Sequence, residues 1–137
     1  MSVVVTGRYL GGKNVQLKHE PSGSVFITDA PVDNGGEGLA FSPTDLIGSA
    51  LGSCIMTTIA IVAERSEIAI SAMSMRAEKH MGTNPRRIAQ LNVTIHLPKD
   101  LEVSPHREKL ERAGNLCPVK QTLHPDTQVN LAYVYDL

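Results

Sequence analysis

The sequence has little of what binds polyanions or lipid surfaces. It contains no tryptophan, only 4% aromatic residues, and a formal net charge of −1 from 13 basic and 14 acidic side chains. Such a chain lacks the positive field that attracts nucleic acids and anionic membranes, so we expect neither partner. Residues 1–5 also lack the basic stretch, apolar run and cleavage site of a secretory signal, and we therefore expect a cytoplasmic protein.

Several motifs of nucleotide-binding and hydrolytic proteins are also absent. There is no Gly-x4-Gly-Lys-Ser/Thr phosphate loop, no Gly-x-Ser-x-Gly elbow and no Gly-x-Gly-x-x-Gly turn after a strand. The two cysteines and five histidines form no Cys-x2-Cys or His-x3-His pair, so a zinc site is only a minor alternative. We expect no metal and no cofactor.

The 137 residues suffice for one compact domain, which we expect to span residues 1–137. The N-terminal third predicts a three-stranded meander, followed by a glycine-rich loop over residues 30–38. Further strands are predicted over residues 70–79, 89–97 and 129–135, and helices over residues 42–66, 104–114 and 117–124. The meander strands are predicted over residues 3–10, 14–19 and 24–28. This order, βββ-α-ββ-α-α-β, predicts an α+β fold around one long helix.

The long helix begins with a clear start signal. Ser42 precedes Pro43, and Asp45 follows at the third helical position, which resembles a capping box. Residues 46–63 carry no charge and are barely long enough to cross a bilayer, but glycine, serine and threonine dilute their hydrophobicity. We therefore interpret the segment as a central helix covered by a sheet or by a second copy of the chain.

The two cysteines are the main chemical candidates. Cys117 precedes a short helix and has Lys120 in its first turn, so the helix dipole predicts a lowered thiol pKa. Cys54 lies in the middle of the long helix and needs a cation from elsewhere, for which Arg8 and Lys13 are the candidates. From these residues alone, a redox-active pair and inert packing of two thiols are equally open interpretations.

Two segments resemble a known family. Residues 42–54, SPTDLIGSALGSC, resemble the (N/S)P-x-(E/D/Q)-L…C signature of the OsmC/Ohr family, and residues 115–119, NLCPV, are similar to its CPV segment. Element order and cysteine separation agree as well, so the resemblance covers nearly the whole chain. It implies an intertwined homodimer with central cysteine helices and two active sites built from both chains.

The resemblance also implies a chemistry. In the peroxidases of that family, the first cysteine attacks an organic hydroperoxide and becomes a sulfenic acid, which the second resolves to a disulfide that a dithiol reductant reopens. By this resemblance Cys54 is the peroxidatic thiol and Cys117 the resolving thiol of an antioxidant enzyme. The alternative is an OsmC-like protein that binds a small molecule without this reaction.

The family activates the first thiol with an arginine from the N-terminal strands and a glutamate ten residues before the cysteine. The resemblance implies Arg8 as the arginine, with Lys13 as the alternative. Thr44 occupies the glutamate position and cannot hold an arginine by charge, which places the chain nearer the less characterised OsmC-like branch than the dedicated organic hydroperoxide reductases. Asp45 and Glu37 are the nearby acids that could substitute.

Overall fold

The computed structural model describes all 137 residues, which form two compact units. The boundary between the units falls inside the first α-helix, between Ile47 and Gly48. The elements are β1 (Val5–Gly11), β2 (Asn14–His19), β3 (Val25–Thr28), α1 (Pro43–Arg65), β4 (Ser74–Gly82), β5 (Arg87–Leu97), α2 (Arg107–Asn115), α3 (Pro118–Thr122) and β6 (Gln128–Tyr135). The predicted α+β order is therefore confirmed.

The N-terminal unit contains an antiparallel sheet in the order β1-β2-β3, which confirms the predicted meander. Pairing begins with Val5 opposite His19, the last residue of β2, so β1 starts two residues later than predicted. Lys13 closes the first hairpin with a positive φ of 67°. Side chains rarely adopt this left-handed conformation outside turns, and here it reverses the chain between β1 and β2.

The C-terminal unit is built on a second three-stranded sheet in the order β4-β5-β6. The central strand, β5, pairs antiparallel with β4 and parallel with β6. Its inward residues alternate with polar ones, as the sequence predicts, and join the apolar residues of α1 in one buried core. The fully buried members from these two elements are Leu51, Ile55, Ile59, Leu91, Val93, Ile95 and Leu97.

Helix α1 starts where the sequence predicts, and for the predicted reason. The Asp45 backbone N–H donates to the Ser42 hydroxyl at 3.1 Å, and the Ser42 N–H donates to the Asp45 carboxylate at 2.9 Å. This reciprocal pair satisfies two amides that no helical carbonyl can reach. The helix is long and apolar enough to span a membrane by length and composition, and only six of its 23 residues are buried.

Two predicted element starts differ by three or more residues from those in the structure. Strand β4 begins at Ser74 rather than residue 70, because Ser74 is the first residue with a ladder partner, opposite His96 on β5. Helix α2 begins at Arg107 rather than Ser104. The hydroxyl of Ser104 accepts the His106 N–H at 3.1 Å and forms a separate turn before the helix.

Candidate functional site

The two cysteines lie together in the C-terminal unit although 62 residues separate them in the sequence. Both are free thiols, and the side chain of Cys54 is within hydrogen-bonding reach of Cys117. Cys54 is carried by α1, whereas Cys117 is the N-cap residue of α3. The structure thus brings together the two residues on which the predicted redox chemistry depends.

Cys117 has no exposed surface in the chain. Burial raises the pKa of its thiol, and the adjacent Cys54 raises it further, while hydrogen bonds from the backbone N–H groups of Lys120 and Val119 lower it. The Lys120 N–H donates to Sγ at 3.4 Å, so the predicted helix cap exists. The predicted lowering of the Cys117 pKa is nevertheless wrong, because desolvation of a thiolate outweighs two backbone hydrogen bonds here.

Cys54 is half-buried and packs against the core. One turn further along α1, the Thr58 hydroxyl donates to the Cys54 carbonyl at 2.7 Å and lies 4.0 Å from its sulfur. Two residues before Cys54, a Cβ on Gly52 would lie 2.7 Å from the sulfur of Met75. A glycine at position 52 therefore lets β4 pack closely beside the turn that carries the thiol.

The segment before Cys117 is held by Tyr133, which the sequence does not predict as part of the site, and by Lys120. The Tyr133 hydroxyl donates to the side-chain oxygen of Asn115 at 2.9 Å and lies 3.2 Å from the Glu111 carbonyl. The Lys120 ammonium donates to the Asn115 backbone carbonyl at 3.3 Å. The half-buried alternation of β6 predicts that Tyr133 faces inward, but nothing in the local sequence reveals these partners.

Arg8 lies on β1 in the N-terminal unit and is exposed. Its guanidinium donates to the side-chain oxygen of Gln16 at 2.9 Å. It also borders an open surface cavity of about 200 Å³ on this sheet, which Lys18 shares. Lys18 is paired with the Glu20 carboxylate at 3.1 Å. The Arg8 guanidinium and the neutral amide of Gln16 are therefore the groups that could bind an anionic or strongly polar group there.

Lys13 and Glu37 belong to the turns of the same unit. The Lys13 ammonium donates to the Gly35 carbonyl at 2.9 Å, which ties the first hairpin to the glycine-rich loop. The Glu37 side chain is exposed, whereas its backbone N–H donates at 3.2 Å to the carboxylate of Asp29. Asp29 is buried and also accepts the Leu39 N–H at 3.4 Å, so this missed residue organises the loop.

Thr44 and Asp45 occupy the first turn of α1. The Thr44 hydroxyl lies 3.2 Å from that of Ser42, and the Asp45 carboxylate accepts the Ser42 N–H. Both side chains therefore take part in the polar contacts of the helix start. Threonine supplies a hydroxyl, not a charge, at this position.

No three His, Cys, Asp or Glu side chains lie close enough together to hold a metal ion. His96 is bound to the Asp136 carboxylate at 2.9 Å and 3.0 Å, and His106 lies at the N-terminal end of α2. The two adjacent thiols of the site can exchange between a dithiol and a disulfide.

Comparison with solved structures shows the same fold in several bacterial proteins. A candidate osmotic-stress-induced and detoxification-response protein from Psychrobacter arcticus is 33% identical, with a TM-score of 0.88 over 97% of this chain and 96% of that one. An organic hydroperoxide resistance protein from Elizabethkingia anophelis, with crystallant-derived thiocyanate bound, is 17% identical, with a TM-score of 0.78 over 99% and 97%.

A third structure is a candidate organic hydroperoxide resistance protein from Vibrio cholerae with captopril in one of its active sites. It is 18% identical, with a TM-score of 0.75 over 97% of this chain and 91% of that one. No curated protein sequence matches the chain significantly. The family model for OsmC-like proteins matches residues 35–132, which include both cysteines. This match covers more than half of the chain, and the protein belongs to the OsmC-like family.

Proposed function

We propose that the protein is a thiol-dependent peroxidase that reduces organic hydroperoxides. The observation that carries the proposal is that two free thiols lie next to each other, the half-buried Cys54 and the fully buried Cys117. A structural role needs no such pairing, whereas a peroxidatic and a resolving thiol must meet. The organic hydroperoxide resistance proteins among the structural neighbours are consistent with this chemistry.

The proposed cycle uses only the two sulfurs and two small molecules. The Cys54 thiolate attacks one oxygen of the peroxide, the O–O bond breaks, and a sulfenic acid and an alcohol form once the leaving alkoxide takes a proton. The Cys117 thiol then attacks the Cys54 sulfur, which forms the disulfide and releases water. A dithiol reductant returns both cysteines to thiols and becomes a disulfide itself.

We propose Arg8 as the cation that stabilises the reacting thiolate and the peroxide. The Arg8 guanidinium bonds the neutral amide of Gln16, so its positive charge is not neutralised by a carboxylate there. Its planar group of N–H donors can form hydrogen bonds to two oxygens at once. The Lys13 ammonium is bonded to the Gly35 carbonyl, which favours Arg8 over Lys13. We propose that Glu37, on the exposed loop, orients the arginine in place of the glutamate that Thr44 replaces, because the Asp45 carboxylate already accepts the Ser42 N–H.

We also propose that two copies associate, in the cytoplasm, through α1. Two thirds of its most apolar window is unburied in the single chain, and Ile47 and Ile61 on this helix are exposed. Apolar surface of this extent on a small protein marks an interaction site. A second copy of the same helix supplies a matching apolar surface.

The peroxidase proposal is tested by intact mass and by peroxide consumption. One equivalent of cumene hydroperoxide should remove two hydrogens from the wild-type protein, and consumption in the presence of dithiothreitol should fall at least about 100-fold in Cys54→Ser. Cys117→Ser is the matched control, because without dithiothreitol it should still consume one equivalent and stop at the sulfenic acid. Equal consumption by wild type and Cys54→Ser would contradict the proposal.

A second candidate function is the binding of a small molecule without turnover. Thr44 in place of an acid and the partial burial of Cys54 favour it, as does the ligand-bound relative from Vibrio cholerae. In that case a ligand should raise the melting temperature while Cys54 resists alkylation at neutral pH. Rapid alkylation of Cys54 at pH 6 would count against this candidate.

A further inference from the structure

The end of α2 is fastened at three points just before Cys117. The Tyr133 hydroxyl contacts both the Asn115 side chain at 2.9 Å and the Glu111 carbonyl at 3.2 Å. From the other side, Lys120 bonds the Asn115 carbonyl, and its own backbone N–H bonds the Cys117 sulfur. Because only one residue separates Asn115 from Cys117, fixing Asn115 also restricts the position of the thiol.

Gly114 shows how closely this turn is packed. A Cβ at this position would overlap the Tyr133 hydroxyl and would lie 3.0 Å from Ile55 and 3.2 Å from Ile59. The turn therefore packs against both Tyr133 of β6 and the face of α1 that carries Ile55, the residue after Cys54. Because Tyr133 contacts this turn, a change at Tyr133 should alter the approach of Cys117 to Cys54.

We propose that Tyr133 is a positioning residue for Cys117, holding the resolving thiol against Cys54 through Asn115 and the last turn of α2. The inference rests on the proposed function, since it assigns Tyr133 to the resolving step of the thiol cycle. Tyr133 touches neither the peroxide nor a reacting sulfur in this arrangement. It acts by keeping the two sulfurs close while Cys54 is a sulfenic acid.

The state of the Tyr133 hydroxyl suits this task. Burial, together with the negative charge of Glu111 and of the Cys117 thiolate, raises the pKa of Tyr133 to about 12. The phenol therefore remains protonated at any pH at which the thiols react. A permanent donor keeps its acceptor fixed throughout the cycle, whereas an ionised phenolate would repel it.

The step that depends on this positioning is the condensation of the Cys54 sulfenic acid with the Cys117 thiol. The Cys117 sulfur attacks the Cys54 sulfur, the S–O bond breaks, and water leaves with the thiol proton. Its rate depends on how much of the time the two sulfurs are at bonding distance. The preceding attack of Cys54 on the peroxide does not involve Cys117 and should not depend on Tyr133.

The test compares Tyr133→Phe with Tyr135→Phe after one equivalent of cumene hydroperoxide. Tyr135 is the matched control because its hydroxyl donates to the Glu111 side chain at 2.7 Å, on the same helix, and the hydrogen bond to the Asn115 side chain comes from Tyr133 instead. We expect Tyr133→Phe to form the disulfide about fivefold more slowly, the effect of losing one hydrogen bond, and to accumulate dimedone-reactive sulfenic acid. Peroxide consumption in the first turnover should stay unchanged in both variants.

Asn115→Ala provides an independent check, since it removes the acceptor and keeps the tyrosine. It should slow disulfide formation to a similar degree, and the double variant should be no slower than either single variant. If Tyr133→Phe fails to fold, Asn115→Ala decides the question alone. Disulfide formation in Tyr133→Phe at the wild-type rate, or an equal loss in Tyr135→Phe, would overturn the inference.

A glutathione redox buffer separates this inference from the peroxidase proposal, because it forms the disulfide without peroxide. Tyr133→Phe should need a more oxidising buffer than wild type to be half-oxidised, corresponding to about a fivefold smaller equilibrium constant. Wild type that forms the disulfide with glutathione but ignores hydroperoxides would refute only the peroxidase function. Wild type that forms no disulfide in either medium would refute the positioning role as well.

Discussion

At the scale of single residues, opposing influences set the properties of the Cys117 thiol. The N-cap position of α3 supplies backbone N–H donors that favour the thiolate, and burial disfavours it. The net effect is a raised pKa, since a thiolate removed from water loses more than two amide hydrogen bonds return. The raised pKa therefore favours a protonated, neutral Cys117 thiol until Cys54 is oxidised.

This raised pKa predicts slow alkylation of Cys117. In Cys54→Ser, where Cys117 is the remaining thiol, iodoacetamide at pH 8 should label the folded protein at least about tenfold more slowly than the protein unfolded in urea. The labelling rate should rise with pH to a midpoint above that of the unfolded chain. Mass spectrometry of timed samples measures both quantities.

The same property fixes the sign of a pH effect on stability. A thiol whose pKa is higher in the folded state contributes fully to stability below the unfolded pKa, and this contribution is lost as pH rises through the folded value. Cys117→Ser should accordingly lose less stability than wild type above pH 9. Labelling of the folded Cys54→Ser as fast as the unfolded chain would contradict the assignment.

The sequence predicted that Cys54 and Cys117 form a pair, but it did not predict the pKa of Cys117. The cysteine pair follows from the family signature and is confirmed as a contact. The pKa direction of Cys117 was wrong because burial comes from residues distant in sequence, whereas the helix cap is local. Tyr133 and Asn115 were missed for the same reason, since 17 residues separate them in the sequence.

At the scale of elements, α1 shows what local sequence can specify. The capping box of Ser42 and Asp45 fixes its start, and the absence of charge over the next turns predicts its length. Its two interior glycines, however, have different surroundings that the sequence does not distinguish. Gly48 has only the side chain of Leu91 at 3.5 Å, whereas Gly52 faces the sulfur of Met75 at 2.7 Å.

These surroundings predict opposite effects of alanine. Gly48→Ala should raise the free energy of unfolding by up to about 1 kcal/mol, because alanine is the better helix former and the site has room for a methyl group. Gly52→Ala should lower it by about 1 kcal/mol or more, since the methyl group displaces Met75 from the core. Urea unfolding of the two variants and wild type measures both changes.

Met75→Ala is the matching control for this pair. In the Met75→Ala variant the space beside position 52 is open. Adding Gly52→Ala should therefore not lower the free energy of unfolding further, and should raise it through the better helix propensity of alanine. An equal response of the two glycines to alanine on the wild-type background would mean that the contact with Met75 is not what constrains position 52.

The strands show the limit of local patterns. Alternation located β5 and β6, but the parallel pairing of β6 with β5 was not predicted, because register and direction are not encoded in the alternation. The connection through α2 and α3 contained the missing signal, since two strands joined by a helical crossover commonly pair in parallel. By contrast, β4 and β5 are joined by a short turn, which makes their antiparallel pairing predictable from the local sequence.

At the scale of the whole molecule, the unburied surface of α1 is the most informative feature. Six of its 23 residues are buried in the single chain, although nearly all of its middle is apolar. A helix that is hydrophobic all round is normally covered on every side. The sequence predicted this need for a cover, and the homodimer remains the proposal that satisfies it.

Sedimentation equilibrium should therefore give twice the mass of the chain. A charge on the exposed side of α1, Ile61→Glu, should shift the equilibrium toward monomer by at least about tenfold, because it places a carboxylate in an apolar interface. Val103→Glu is the control, as Val103 is 88% exposed and lies outside α1. A monomeric wild type, or the same weakening by both variants, would rule out an interface through α1.

The position of the two cysteines along the chain has a consequence beyond catalysis. A bond between Cys54 on α1 and Cys117 before α3 would close a loop of about 60 residues that contains β4, β5 and α2. In the chain-entropy model a loop of that length stabilises the native state by about 4 kcal/mol. Oxidation would then raise the free energy of unfolding of the whole protein. The oxidised form would stay more resistant to unfolding until a reductant reopens the disulfide.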